Sequence, residues 1–166
     1  YRETPLPWIP SIPKEWKIVK AKHILTKEKR IPCENAELLI CTNKGRVIKR
    51  GDAKMGLVAA SSDIYQGVTS GDLLIHGMDT WHGAIAVSAF NGMCTPTVHV
   101  CTSNRSNLAF IGYYMRALAY MGIYKAISNG IRQNTSDFRS WDKAGDIDLL
   151  VPTRDEQDQI VRYLYW

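Results

Sequence analysis

Leu108-Ala109-Phe110-Ile111-Gly112-Tyr113-Tyr114-Met115-Arg116-Ala117-Leu118-Ala119-Tyr120-Met121 is apolar all round, with Arg116 its one charge and Gly112 its one interruption. A helix without a polar face is a helix surrounded by protein. Asn107 stands where an N-cap belongs and Gly122 where the chain has to leave the helix, so the stretch predicts a buried central helix over 108–121. On that reading Tyr113, Tyr114, Tyr120 and the nearby Tyr124 are core residues rather than a stacking platform.

Working outward, the chain before this helix is strand-like. Gly71-Asp72 is a turn signal ahead of Leu73-Leu74-Ile75-His76; Ala84-Ile85-Ala86-Val87 follows, and Thr97-Val98-His99-Val100-Cys101 comes after Pro96. Gly77-Met78-Asp79-Thr80-Trp81-His82-Gly83 joins the first two; bounded by glycine and too polar for a hidden strand, it predicts a loop with exposed side chains. Farther upstream, 36–41 reads as a strand entering a basic segment turned at Gly45 and Gly51, and 17–25 as strand or short helix. Residues 5–13 carry four prolines and predict an irregular arm pinned by Trp8 and Trp16. After the helix come a turn at Ser128-Asn129-Gly130, a polar run 131–134, a short helix over 136–141 and a last strand over 147–151. Thr153 with Glu156 forms a capping box that opens a helix with Ile160, Val161 and Leu164 on one face. The expected class is α/β (α+β): one domain with a mixed twisted sheet, a buried central helix and a C-terminal helix.

The 166 residues, 45% hydrophobic and 22% charged, suit one soluble domain. A chain of this length buries roughly 70% of its unfolded surface, enough for a core without metal or disulfide staples. No run approaches the roughly 18 apolar residues of a membrane span. The start, Tyr1-Arg2-Glu3-Thr4-Pro5, lacks a signal-peptide apolar run, although a chain beginning at Tyr leaves a removed leader open. Charge is unevenly spread: residues 1–54 hold 13 basic and 6 acidic side chains, a net +7, whereas residues 55–166 hold 8 and 10, a net −2. The densest stretch runs Lys44-Gly45-Arg46-Val47-Ile48-Lys49-Arg50-Gly51-Asp52-Ala53-Lys54. Two readings stand for it: a solvated hairpin, or a surface for a phosphate backbone.

No cysteine pair among Cys33, Cys41, Cys94 and Cys101 has C-x-x-C spacing. Cys94 and Cys101 read as small core residues, and free thiols suit a reducing cytoplasm. His99 and Cys101 would share a strand face, a thin metal hint, and Cys94 with His99 a thiolate pair, against the simpler reading of strand residues. Dinucleotide, Walker, serine-hydrolase, zinc-protease and base-deaminase motifs are all missing, as is the Asn/Asp-Pro-Pro-aromatic turn of amino-methyltransferases. Glu15-Trp16-Lys17 has the Glu-x-Lys spacing of metal-dependent nucleases but no carboxylate suitably placed before it. The expectation is therefore no catalytic residue, no metal and no cofactor.

Four segments in order resemble the specificity subunit of type I restriction–modification systems. They are Trp8-Ile9-Pro10-Ser11-Ile12-Pro13-Lys14-Glu15-Trp16, like its Ile-Pro-x-x-Trp opening; Gly71-Asp72-Leu73-Leu74-Ile75, a strand before a variable loop; Ser128-Asn129-Gly130-Ile131-Arg132-Gln133, like its Ser-x-Gly-x-Arg-Gln turn; and 147–164, with Pro152, Glu156-Gln157, Ile160 and Leu164 like the ending that opens its spacer helix. The resemblance implies a target recognition domain over 1–152 and the start of a spacer helix over 153–166. It implies a non-catalytic binder of double-stranded DNA that reads half of a split site in bacterial defence against foreign DNA. Methylation would belong to modification subunits, translocation and cleavage to a motor subunit, and the spacer helix would pair with a second recognition domain or a second copy. The rival readings are a free-standing metal-dependent nuclease and a recognition domain fused to a methyltransferase.

Which side chains read DNA has to rest on chemistry. Arg pairs with guanine, and Asn or Gln with adenine, through two hydrogen bonds each. Arg132, Gln133 and Asn134, after the Ser128-Asn129-Gly130 turn, supply all three types, unless Arg132 pairs with Asp137 and Asn134 caps a helix at Ser136. Lys44, Arg46, Lys49, Arg50 and Lys54 suit phosphates, which position without reading sequence. In the 77–83 loop Asp79, beside Thr80, has an acceptor for a cytosine amino group, and Trp81 either stacks on a base or plugs the sheet edge.

Overall fold

The computed structural model describes residues 1–52, 64–127 and 138–165. In chain order the strands are β1 (Arg2–Glu3), β2 (Ser11–Ile12), β3 (Lys17–Lys20), β4 (Thr26–Glu28), β5 (Leu39–Thr42), β6 (Arg46–Lys49), β7 (Gln66–Val68), β8 (Leu73–His76), β9 (Ile85–Val87), β10 (Gly92–Cys94), β11 (Val98–Thr102) and β12 (Asp148–Val151). The helices are α1 (Leu108–Tyr120), α2 (Ile123–Ile127), α3 (Trp141–Ala144) and α4 (Arg154–Leu164). The α+β class holds. In place of one mixed sheet, the described strands form a central four-stranded sheet, β4-β11-β8-β9, and four two-stranded ribbons. Their pairings are antiparallel; an isolated bridge, Leu38 with Met93, is parallel.

Within the central sheet β8, β9 and β11 are largely apolar without alternation because both their faces are covered, while the edge strand β4, Thr26-Lys27-Glu28, is polar and mostly exposed. Leu73, Ile75, Ile85 and Cys101 face α1 and meet Phe110, Ile111, Met115 and Leu118. Their neighbours Leu74, Ala84, Ala86, Val98 and Val100 face the other way, onto Leu39, Cys41 and Val47 of the β5–β6 hairpin and Val68 and Cys94 of the β7–β10 ribbon. Three layers result: helix, sheet, ribbons. Burial pushes the thiols of Cys41, Cys94 and Cys101 up to about 12, which makes them inert packing groups, while Cys33 is exposed. Cys94 and His99 lie on opposite sides of this sheet and form no pair: Cys94 packs among the ribbons, whereas His99 stacks on Trp141.

The proline-rich start is more ordered than an irregular arm. Thr4 N–H bonds the Pro10 carbonyl at 3.0 Å, folding the segment back so that β1 pairs with β2 and Leu6 and Ile12 pack on Leu150. Trp8 and Trp16 pin it, and Trp16 Nε1 donates to Glu156 Oε1 at 3.3 Å. Residues 17–25 contain both expected forms, strand β3 and then a 3-10 turn over Ala21–His23. The helix expected over 136–141 begins instead at Trp141, and residues 136–137 lie outside the described set. Phe138 is buried edge-on to Tyr124, and its carbonyl is taken by His99, which commits the backbone there before α3 starts.

Helix α1 begins where expected, with Asn107 Oδ1 accepting from Ala109 N and Phe110 N. It is not buried throughout: Tyr120 is 68% exposed and Met121 56%. Thirteen residues span about 20 Å, more than the roughly 10–17 Å of strands three to five residues long, so the last turn outruns the sheet. Tyr120 therefore leaves the core list, whereas Tyr124 is fully enclosed. The capping box of α4 is present, and its first turns are tied to α1: Asn107 N–H donates to Gln157 Oε1, Asn107 Nδ2 to Asp158 Oδ1, and Gln157 Nε2 to the Pro152 carbonyl. Of the expected apolar face, Val161 is buried and Ile160 packs on the core, while Leu164 is exposed.

Candidate nucleic-acid interface

The cationic segment forms the β5–β6 hairpin because two short apolar runs, Leu39-Ile40-Cys41 and Val47-Ile48, flank a glycine turn. Gly45 at φ +69° closes the turn, and Cys41 sits opposite Val47, Thr42 opposite Arg46. The alternation separates the cations. Val47 and Lys49 face inward with Leu39 and Cys41; Arg46 and Ile48 face outward with Ile40 and Thr42. Lys49 bonds Glu37 Oε2 at 3.4 Å and lies 5.2 Å over the Phe90 ring. Lys44, Arg46 and Arg50 are exposed, and none of them makes an ion pair with a described residue. Lys54 lies outside the described residues.

The 77–83 turn is less open than its polarity suggests. Thr80 is wholly buried and its hydroxyl donates to the His76 carbonyl at 2.7 Å, so Thr80 builds the turn and faces no solvent. Trp81 is half-buried against the helix-side core, with its indole N–H enclosed. Asp79 keeps 43% of its side chain exposed. The turn is held from below by His76, whose Nδ1 accepts from the N–H groups of Met78 and Asp79 at 3.3 Å each.

His99 holds a second point. Its Nε2–H donates to the Phe138 carbonyl at 2.6 Å, which leaves Nδ1 buried without a partner among the described residues. The metal hint at His99 and Cys101 gains no further ligand: no group of three His, Cys, Asp or Glu could hold an ion among the described residues. Burial lowers the pKa of both histidines, against the Asp79 charge in His76 and the Phe138 hydrogen bond in His99. Each takes up a proton less readily in the fold than in the unfolded chain. Stability should therefore hold above the ordinary value near 6.5 and fall as pH drops below it, by up to about 1.4 kcal/mol per pH unit for each histidine. Urea titrations at pH 7.5 and 5.5 check this, and His99→Gln should flatten the dependence.

Ser128, Asn129, Gly130, Arg132, Gln133 and Asn134 lie outside the described residues, as does Asp137. Their described flanks converge on the 77–83 turn. Helix α2 packs against the Thr80–His82 turn. On the other side Gly77 lies so close to the backbone that a Cβ there would sit 2.8 Å from Arg139 Cα and 2.9 Å from the Phe138 carbonyl oxygen. The hairpin tip reaches the same turn: a Cβ on Gly83 would lie 3.7 Å from the Asn43 carbonyl oxygen and 3.8 Å from Arg116 Nε. One edge of the molecule thus gathers the cationic tip, the 77–83 turn and both flanks of 128–137. Arg116 and Tyr120 also stand there. The signal for Arg116 was available as the lone charge in an apolar helix; none marked Tyr120.

No protein-family model matches the sequence, and no curated protein does. Solved structures do. The chain is similar to the HsdS subunit from Thermoanaerobacter tengcongensis, with a TM-score of 0.59 at 15% identity over 97% of this chain and 39% of that one. It is also similar to a chain from a structure described as the structural basis of complex assembly and conformational transition of the type I R-M system, with a TM-score of 0.63 at 13% identity over 97% of this chain and 40% of that one. The chain thus spans about two fifths of each of these structures. Nearly the whole of it has the fold of one part of a type I restriction–modification specificity subunit.

Proposed function

We propose that the chain is a target recognition domain that binds double-stranded DNA sequence-specifically and reads one half of a bipartite site for a type I restriction–modification complex. The observation that carries the reading is the fold likeness over 97% of the chain to a specificity subunit, the same family that four segments of the sequence resemble. The cationic hairpin tip and the 77–83 turn, which share one edge, supply the chemistry together with the polar run 131–134. Lys44, Arg46 and Arg50, together with Lys54, hold phosphates; Lys49, already engaged by Glu37 and Phe90, contributes less. Arg132, Gln133 and Asn134 read base edges, and Asp79 offers a further acceptor. Thr80 and Trp81 support the turn. The chain carries out no reaction itself: partner subunits methylate, translocate and cleave, in the cytoplasm where the DNA is, and α4 continues as a spacer pairing with a second recognition domain or a second copy.

Selection of bound sequences from a random duplex pool, followed by incubation of the selected DNA with the protein and Mg²⁺, tests this. The expected result is one enriched short motif and intact DNA. A pool without a motif overturns sequence-specific recognition, and Mg²⁺-dependent cleavage by the chain alone makes it a nuclease.

A further inference from the structure

We propose that Arg116 is the positioning residue of this edge: its guanidinium fixes the hairpin tip against the 77–83 turn, and so sets the spacing between the phosphate-holding cations of the tip and the Asp79 acceptor of the turn. The functional half of this proposal rests on the DNA-binding reading above; the geometric half does not.

Arg116 leaves α1 and reaches under the hairpin. Its Nη2 donates to the Lys44 carbonyl at 3.2 Å and also to the Tyr120 hydroxyl, and its Cζ lies 5.4 Å from the Tyr120 ring centroid. Gly45 makes room for it: a Cβ at that position would overlap the guanidinium carbon and two of its nitrogens, and φ +69° there already selects glycine. Gly83, at φ +79°, lets the 77–83 turn come to the same group, 3.8 Å from Arg116 Nε and from Tyr120 Cζ when measured from an ideal Cβ. Two turns of the chain that share no strand pairing therefore meet at one side chain. Among the described residues that side chain makes no ion pair, and its Nε–H is enclosed without a partner. A guanidinium suits the place because the two N–H bonds of Nη2 are fixed in one plane, one for the Lys44 carbonyl and one for the Tyr120 hydroxyl, at the end of a side chain one bond longer than that of lysine. Its unpaired charge also adds to the potential of the exposed Lys44 and Arg46 next to it.

The test is hydrogen–deuterium exchange on Arg116→Lys and Tyr120→Phe, combined with binding to the selected site and to random duplexes over a salt series. Both variants should speed exchange in peptides covering 43–46 and 77–83 together, leaving β3 and β12 unchanged. Arg116→Lys should also cut the ratio of specific to random affinity about tenfold, the scale of one misplaced base contact, with an unaltered salt slope. Faster exchange in only one of the two segments, or in neither, overturns the clasp. An equal loss on both DNAs overturns the positioning role; because lysine keeps the charge, Arg116→Gln, whose slope would fall by about one if Arg116 held a phosphate, then tells a phosphate contact from a structural support. If the wild-type protein shows no sequence preference, the DNA reading fails, and the exchange result still decides the clasp.

Discussion

Asp72→Ala should cost about 3–5 kcal/mol of stability, read as a lower urea midpoint, because it breaks a buried charged network from its centre. Asp72 is 4% exposed. Its carboxylate takes both arms of Arg30, Nη1 at 2.6 Å and Nη2 at 3.3 Å, and accepts from Thr69 N–H at 2.7 Å with the same oxygen that meets Nη1. That pairing raises the Arg30 pKa against the opposing effect of burial. The backbone of Asp72 is used as well: its carbonyl accepts from Ser88 N–H at 2.8 Å, and its N–H donates to the Thr69 carbonyl at 3.0 Å, closing a turn in which Gly71 sits at φ +97°. Alanine keeps the backbone bonds and strands the half-buried guanidinium and the Thr69 N–H. Asp72→Asn keeps an acceptor for Thr69 and loses the charge, so it should fall between the two, near 1–3 kcal/mol. A loss under about 1 kcal/mol for the alanine variant would mean that Arg30 finds a new partner or water without cost.

That residue also marks how far the sequence could be read. Gly71-Asp72 was legible as a turn from two residues, but the partner of Asp72 stands 42 positions upstream and no local pattern points to it. Strands β8, β9 and β11 were legible because each is a short apolar run; β7 and β10 were not, because Gln66-Gly67-Val68 and Gly92-Met93-Cys94 are short and glycine-bearing and form a two-stranded ribbon with each other. Helix α1 was legible from its apolar run and its cap, whereas the exposure of Tyr120 depends on the length of the sheet beneath it. Strand alternation puts Arg46 and Lys49, three positions apart, on opposite faces, and the period of two alone makes that part of the site legible. Thr80 is polar and yet buried, because its hydroxyl serves the His76 carbonyl, a partner that polarity alone does not reveal. The two most distant segments of the resemblance, around Trp16 and Glu156, touch through one hydrogen bond across 140 residues, which gives a structural reason for their occurring together.

Replacing Lys44, Arg46 and Arg50 together by alanine should lower affinity for any duplex by two to three orders of magnitude at about 0.1 M salt. Each phosphate contact releases about 0.9 of a counterion, so log K changes by about 0.9 per tenfold change in salt for each contact. Taking about 1 M salt as the point where that term vanishes, three contacts contribute about 2.7 log units at about 0.1 M, and the salt slope should shrink by the same 2.7. The three side chains are exposed and free of described ion pairs, so the fold should survive and the thermal midpoint should barely move. Lys49→Ala provides the contrast. Its ammonium is shared between Glu37 and Phe90, so its loss should change the slope by well under one and lower stability by up to about 1 kcal/mol through the ion pair and ring contact. A triple variant with an unchanged slope would show that the outward cations of the hairpin touch no phosphate, and the DNA-facing edge would then have to be sought elsewhere on the molecule. A Lys49 variant with the larger change in slope would place the duplex on the inner rim of the hairpin, beside Phe90, rather than at its tip beside Arg116.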